Sequence, residues 1–133
     1  MIFVDSNVVL DVVTADPVWS RWSQTALERA ASRDQLAINN VIYAELSIRY
    51  ARIEDLEVAI EQMRLLVEPI PRTGLFLAGK VFQRYRASGG TRAGVLPDFF
   101  IGAHAMVVDG TLVTRDVQRY RTYFPKLALI APP

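Results

Sequence analysis

Four acidic side chains each lie close to a short apolar run. Asp5 follows Ile2-Phe3-Val4, Glu45 lies in Val41-Ile42-Tyr43-Ala44-Glu45-Leu46, Asp98 closes Leu96-Pro97-Asp98, and Asp116 comes just after Leu112-Val113-Thr114. Each has an ordinary explanation when taken alone. Aspartate is a favoured helix N-cap, which suits Asp5 and Asp116. An acid near a helix start is what the macrodipole favours, which suits Asp98. Glu45 would suit a solvated face, but Tyr43, Ala44, Leu46 and Ile48 make its surroundings mostly apolar. Brought together, the four carboxylates would repel one another and lose hydration, and a hard divalent cation offsets both effects. An all-oxygen ligand set in a chain without cysteine favours Mg²⁺ or Mn²⁺ over zinc. Such an ion polarises a phosphoryl oxygen and lowers the pKa of bound water, so a nucleophile forms without an imidazole. Phosphodiester hydrolysis is the reaction this chemistry suits best. Metal-free cleavage of RNA through its 2′-hydroxyl commonly wants one imidazole as base and another as acid, and only His104 is present.

The acids can converge only if the secondary structure carries them to one place. Ile2–Val4 reads as a strand ending at the cap residues Asp5-Ser6-Asn7, and Val8–Val13 as a short helix. Trp19–Ala31 has the apolar spacing of an amphipathic helix. Leu36–Ile38 reads as a second strand, and Asn39-Asn40 as the cap of a helix through Val41 and Leu46. Helical spacing continues over Ile53–Leu66. A third strand is expected over Val67–Ile70, with Pro69 marking it as an edge. A helix over Gly74–Ala87 stops at Ser88-Gly89-Gly90. The next opens at Leu96-Pro97-Asp98 and ends at Asp109-Gly110. Leu112–Thr114 is the fourth strand, Val117–Phe124 a short helix and Leu127–Ile130 the fifth strand.

This alternation predicts a single α/β domain over residues 1–133, a parallel sheet with helices on both faces. In such sheets the ligand crevice lies beyond the carboxyl ends of the strands, where strand order reverses. With order 3-2-1-4-5, strands one and four are neighbours. Asp5 and Asp116 then face that crevice, and Asp98 and Glu45 lie in early turns of helices at the same end. Caps alone would be scattered over both ends.

Composition sets the outer bounds. The 133 residues are 51% hydrophobic and 22% charged, an ordinary globular balance. No stretch is apolar enough to span a bilayer, no secretory leader is evident, and the absence of cysteine excludes disulfides and thiolate chemistry; a cytoplasmic protein is expected. A net charge of +1 neither demands nor excludes a nucleic-acid partner.

The segments Phe3-Val4-Asp5-Ser6-Asn7-Val8-Val9-Leu10-Asp11, Val41–Leu46, Leu96–Ala105 and Leu112-Val113-Thr114-Arg115-Asp116 resemble, in order and across essentially the whole chain, the PIN domain, and within it the VapC-type toxins of toxin–antitoxin pairs. Each motif is a few residues long, and the specificity lies in having four at these separations. Many relatives carry another residue where Pro97 stands. The resemblance implies a five-stranded sheet of order 3-2-1-4-5, a Mg²⁺ or Mn²⁺ site, endoribonuclease activity, a homodimer, and inhibition by a small antitoxin. It also implies roles. Asp5, Asp98 and Asp116 would hold the metal directly or through water, while Glu45 would either ligate or orient the attacking water. Ser6 and Thr114 would steady carboxylates or bound waters. Asn7 would either cap its helix or orient Asp5.

Arg84, Arg86 and Arg92 flank Gly89-Gly90, where a flexible basic loop would grip RNA phosphates with Tyr85 stacking on a base; a solvated helix end is the plainer reading. Arg115 and Arg119 would either meet phosphate or balance the acids. His104, among Gly102, Ala103, Ala105 and Met106, reads as a packed or capping histidine and not a ligand, since no second histidine or thiolate accompanies it. Gly102, Ala103 and Ala105 would let their helix approach the sheet. Trp19 and Trp22 suit the core or a partner surface, and Asp11 is expected to turn from the crevice. A phospho-accepting receiver domain on a similar sheet would need an aspartate after the third strand, where Val67-Glu68-Pro69-Ile70-Pro71 stands. An aspartyl phosphatase would want a second aspartate at position 7, which is Asn7. A non-catalytic RNA- or protein-binding module on this scaffold is the remaining alternative, and the intact quartet argues against it.

Overall fold

The computed structural model describes residues 1–133. In chain order the elements are β1 (Ile2–Val4), α1 (Ser6–Val13), α2 (Ser20–Ala31), β2 (Leu36–Asn39), α3 (Asn40–Ser47), α4 (Ile53–Gln62), β3 (Leu66–Glu68), α5 (Arg72–Ala87), a 3₁₀ turn at Ala93–Val95, α6 (Leu96–Val107), β4 (Thr111–Val113), α7 (Val117–Tyr123) and β5 (Ala128–Ile130). The strands form one sheet of order β3-β2-β1-β4-β5, and every pairing is parallel. The fold is therefore the single α/β domain expected. No helix is long and apolar enough to cross a membrane.

Strand burial follows position in the sheet. β1 and β2 are buried at every residue and β4 at Leu112 and Val113, because helices cover both faces of the central strands. β3 and β5 are the edges, and Leu66 and Val67 stay exposed. Phe3, Val4, Ile38, Leu112, Phe99 and Ile101 lie in the core between the layers.

Four of the five strands differ at a boundary from those the sequence predicts, β2 running on to Asn39 and β5 beginning at Ala128. α4 stops at Gln62 rather than Leu66, because Arg64 takes a left-handed φ of 55° and the Leu65 amide closes back on the Ile60 carbonyl at 3.0 Å. That turn buries Leu65 and frees Leu66 to pair with Ala37, so β3 begins one residue early and ends before Pro69. β4 likewise begins at Thr111, whose amide donates to the Met1 carbonyl, and Thr114 lies just past the strand.

Helix starts carry the acids. Asp5 is the N-cap of α1, and its carboxylate accepts the Ser6 amide at 2.8 Å. Asn39 caps α3 through the Ile42 amide at 2.9 Å. The Asn39 Nδ2 group also donates to Nδ1 of buried His104, 3.2 Å away. Burial lowers the His104 pKa, which keeps the ring neutral and its nitrogen able to accept. Its ring packs 4.6 Å from that of Phe3, so His104 is a packed histidine.

Gly102 serves a different contact from the one expected. Ala103 and Ala105 are fully buried in α6, but a Cβ on Gly102 would come within 2.5 Å of the Phe124 ring. Phe124 is itself buried and packs on Phe99 with ring centroids 6.4 Å apart. Alanine at Gly102 gains about 1 kcal/mol of helix propensity, whereas overpacking a filled core costs about 1–3 kcal/mol. Gly102→Ala is therefore expected to lower the unfolding free energy, by about 1 kcal/mol, in urea titrations. A midpoint at or above that of the parent would show that Phe124 moves aside freely.

Candidate functional site

The site is assembled by register. β1 and β4 pair with Val4 beside Val113, so the next residues, Asp5 and Thr114, emerge side by side at the carboxyl end of the sheet. The Asp5 amide donates to the Val113 carbonyl at 2.9 Å. Thr114 Oγ1 donates to Asp5 Oδ2 at 2.7 Å and accepts the Asp116 amide at 3.0 Å. β1 is the strand at which the connections change direction, to β2 on one side and β4 on the other. This is the crevice position expected in a parallel α/β sheet.

The other acids reach the same crevice from three helices. Glu45 lies in the second turn of α3 and accepts a hydrogen bond from Ser6 Oγ at 3.1 Å. Asp98 is in the first turn of α6, after Pro97. Asp116 precedes α7. Their electrostatic coupling shows that they share one neighbourhood. Burial is the main reason the Asp5 carboxyl is raised from 3.8 to about 7, and the charges of Asp98 and Glu45 add to it against the opposing Thr114 and Ser6 hydrogen bonds. Glu45 is raised by burial and by Asp98, against its Ser6 hydrogen bond. Asp98 is raised by burial and by Asp116, against hydrogen bonding and charge from Arg119.

Arg119 provides the positive charge of this cluster. Its Nη1 bonds Asp98 Oδ2 and lies 3.5 Å from Asp116 Oδ2. Of the two roles left open by the sequence, balancing the acids is the one the structure displays. No group of three or more acids stands close enough together to hold one metal ion. Tyr120, one residue further, is buried and donates to Asp5 Oδ2 at 3.3 Å. Burial and the charges of Asp5 and Asp98 push its hydroxyl pKa far up, which keeps it a proton donor. Nothing in the linear chain signals this role, since a tyrosine at that position reads as core. Arg119 was more accessible to sequence reasoning, because it lies one helical turn from Asp116.

The remaining candidates divide. Asn7 is bonded to the Arg115 amide at 3.4 Å, not to Asp5. Arg115, for which both phosphate contact and balancing of an acid were open, directs its guanidinium to Asp11 through two bonds of 2.7 and 2.9 Å. Asp11 bonds Ser23 and Arg115 instead of joining the quartet. Arg84, Arg86 and Arg92 are exposed, as a phosphate-binding role requires. Tyr85 is not free to stack on a base. It packs on Phe82, Phe99 and Tyr123, and its hydroxyl accepts the Arg92 amide at 3.0 Å. The Gly89-Gly90 loop is tied down with it. A Cβ at Gly90 would come within 2.4 Å of the Tyr85 ring, and Gly89 has a φ of 93°. A cleft of about 360 Å³ lined by Asp34, Gln35, Leu36 and Arg64 lies at the opposite end of β2, away from the quartet.

The sequence matches the PIN domain over residues 2–125, and the chain belongs to that family. Among solved structures it is similar to VapBC2 from Rickettsia felis, bound to a DNA fragment from the promoter, with 21% identity and a TM-score of 0.76 over 100% of both chains. It is similar also to VapBC-1 from nontypeable Haemophilus influenzae, with 20% identity and a TM-score of 0.74 over 98% of each chain. A toxin–antitoxin complex from Klebsiella pneumoniae shares 20% identity at a TM-score of 0.72, over 100% of this chain and 98% of that one. No curated protein matches. At these identities the likeness is one of fold.

The displaced Asp5 carboxyl couples stability to pH. Between 3.8 and about 7 the native state holds a proton that the unfolded chain releases. Metal-free protein therefore loses stability as pH rises through that window, and the loss is complete above it. At about 1.4 kcal/mol per pKa unit the effect amounts to a few kcal/mol. Asp5→Asn removes the penalty. In chelator the variant is expected to be more stable than the parent at about pH 8, with the gap closing near pH 4. Parallel stability–pH curves for the two proteins would contradict the burial argument.

Proposed function

We propose that this protein is a metal-dependent endoribonuclease that hydrolyses RNA phosphodiesters, and that it is the toxin of a toxin–antitoxin pair. The observation that carries the reading is the buried Asp5 carboxylate between β1 and β4, coupled in charge to Asp98 and Glu45. Membership of the PIN-domain family supports nuclease chemistry, and the VapBC complexes supply the toxin part of the proposal.

By its chemistry the donor set suits a hard divalent cation, though no three of its acids lie within reach of one ion. It offers carboxylate and hydroxyl oxygens without a thiolate, and the acids repel one another in a partly desolvated crevice. In this reading Asp5, Asp98 and Asp116 hold Mg²⁺ or Mn²⁺ directly or through water, with Arg119 as their counter-charge in its absence. When bound, the ion supplies a polarised phosphoryl oxygen and a water of lowered pKa. Thr114, Ser6 and Tyr120 hold the acceptor oxygens of Asp5 in place. Glu45 takes a proton from the attacking water in this reading, which its raised pKa and its Ser6 hydrogen bond support. Asp116, with a side chain 40% exposed, opens the crevice to solvent on the side where a polymer approaches. Arg84, Arg86 and Arg92 take RNA phosphates, and Arg115 takes none because Asp11 holds it.

In this reading the protein acts in the cytoplasm on RNA, as a homodimer held in check by a small antitoxin. Ile48, Ile53 and Phe76 support protein contacts, since the single chain leaves them 82%, 65% and 70% exposed.

Purified protein is expected to cleave single-stranded RNA with Mg²⁺ or Mn²⁺, leaving 3′-hydroxyl ends, and to stop in EDTA. Asp98→Asn should abolish cleavage while the fold survives, and Glu45→Gln should slow it about 10²–10⁴-fold. Cleavage at full rate in chelator would eliminate the metal mechanism. Wild-type turnover by Asp98→Asn would move the chemistry elsewhere.

A further inference from the structure

The best-bonded ion pair in the protein lies outside the quartet. Asp11, on α1, is 2% exposed, and an unpaired carboxylate so deep would be strongly disfavoured. It accepts from Ser23 Oγ on α2 at 2.6 Å and from Arg115 Nε and Nη2 at 2.7 and 2.9 Å. The Arg115 guanidinium also lies 5.0 Å over the Trp19 ring, and its amide donates to Asn7 Oδ1 at 3.4 Å. A two-bond fork fixes orientation as well as distance, which a single ammonium contact does not. If stability alone were at stake, apolar side chains of similar volume would serve as well as a buried pair.

The geometry fixes the segment that follows β4. Thr114 is tied to Asp5 on β1's side and Arg115 to Asp11 on α1, while the Asp116 amide returns to Thr114 Oγ1. The Asp116 side chain has only Arg119, at 3.5 Å, as an ionic neighbour and is 40% exposed. Nothing at its own carboxylate holds it to the sheet. Its location is inherited from the backbone just before it, which Thr114 and Arg115 pin.

We propose that Asp11 and Arg115 form a strut between α1 and the β4–α7 connection that positions Asp116, which makes Arg115 a positioning residue for the site and not an RNA contact. This rests on the nuclease reading for its catalytic consequence, but its structural part is measurable without turnover.

Arg115→Lys keeps the charge and loses the fork. It is expected to fold, to lower kcat about 10-fold or more, as loss of a supporting contact does at metal sites, and to leave KM for RNA within about twofold. In an Asp116→Ala background the same substitution is expected to add no further loss to the residual turnover, because the strut acts through Asp116. Backbone amides of residues 114–117 are expected to exchange with deuterium faster in Arg115→Lys while those in the body of α1 stay protected. Asp11→Asn, which keeps an oxygen for Arg115, should give the same changes in milder form and serves if the lysine variant does not fold. A raised KM at unchanged kcat would mark Arg115 as a phosphate contact and overturn the strut. Additive losses with Asp116→Ala, or unchanged exchange over 114–117, would also overturn it. If the parent protein cleaves no RNA while exchange over 114–117 rises in the variants, the nuclease reading fails and the strut stands.

Discussion

A carboxylate buried at the carboxyl end of the central strand is the condition around which the rest of this protein is arranged. Asp5 has almost no contact with solvent and lies in the field of two further acids. Left alone, such a group would take up a proton or disrupt its surroundings. Here it is answered by donors from separate parts of the chain: the Ser6 amide, the Thr114 hydroxyl and the Tyr120 hydroxyl. Arg119 brings positive charge to the neighbouring Asp98. Donors in these numbers lessen the strain of clustered acids without abolishing it, which is why the Asp5 carboxyl stays far above its ordinary value.

Parallel topology makes this arrangement affordable. All strands point the same way, so their carboxyl ends converge on one rim, while the strand bodies bury Phe3, Val4, Ile38 and Leu112 between helical layers. Stability comes from the apolar body and chemistry from the polar rim. The aromatic cluster of Phe82, Tyr85, Phe99 and Tyr123 extends that body up to the rim and holds the loop bearing Arg92. A second polar centre, Asp11 with Ser23 and Arg115, ties α1 and α2 to the connection after β4. The two centres share the short segment 114–116, which belongs to the site at one residue and to the frame at the next.

Much of this was legible in the linear chain because it depends on local rules. Alternation of apolar runs and amphipathic stretches gave the α/β class and the strand sequence, since side-chain periodicity reflects which face is buried. The acids were legible because a residue directly after a strand or in the first turn of the next helix has its end of the sheet set by chain direction alone. Among the boundary errors, those at Arg64–Leu66 and at Thr111 arose where a backbone turn or a pairing partner decided the outcome. Propensity carries no information about either.

What the sequence alone determined was the set of elements and the rim to which Asp5, Glu45, Asp98 and Asp116 belong. Pairings across long separations lay beyond it. Arg115 bonds Asp11 rather than facing outward, Tyr85 is packed rather than open, Tyr120 reaches Asp5, and Gly102 makes room for Phe124. The reason is physical. Identity and spacing fix what a side chain can bond, but which donor meets which acceptor depends on how α1, α2 and α7 pack against the sheet, and that packing is a property of the whole folded chain.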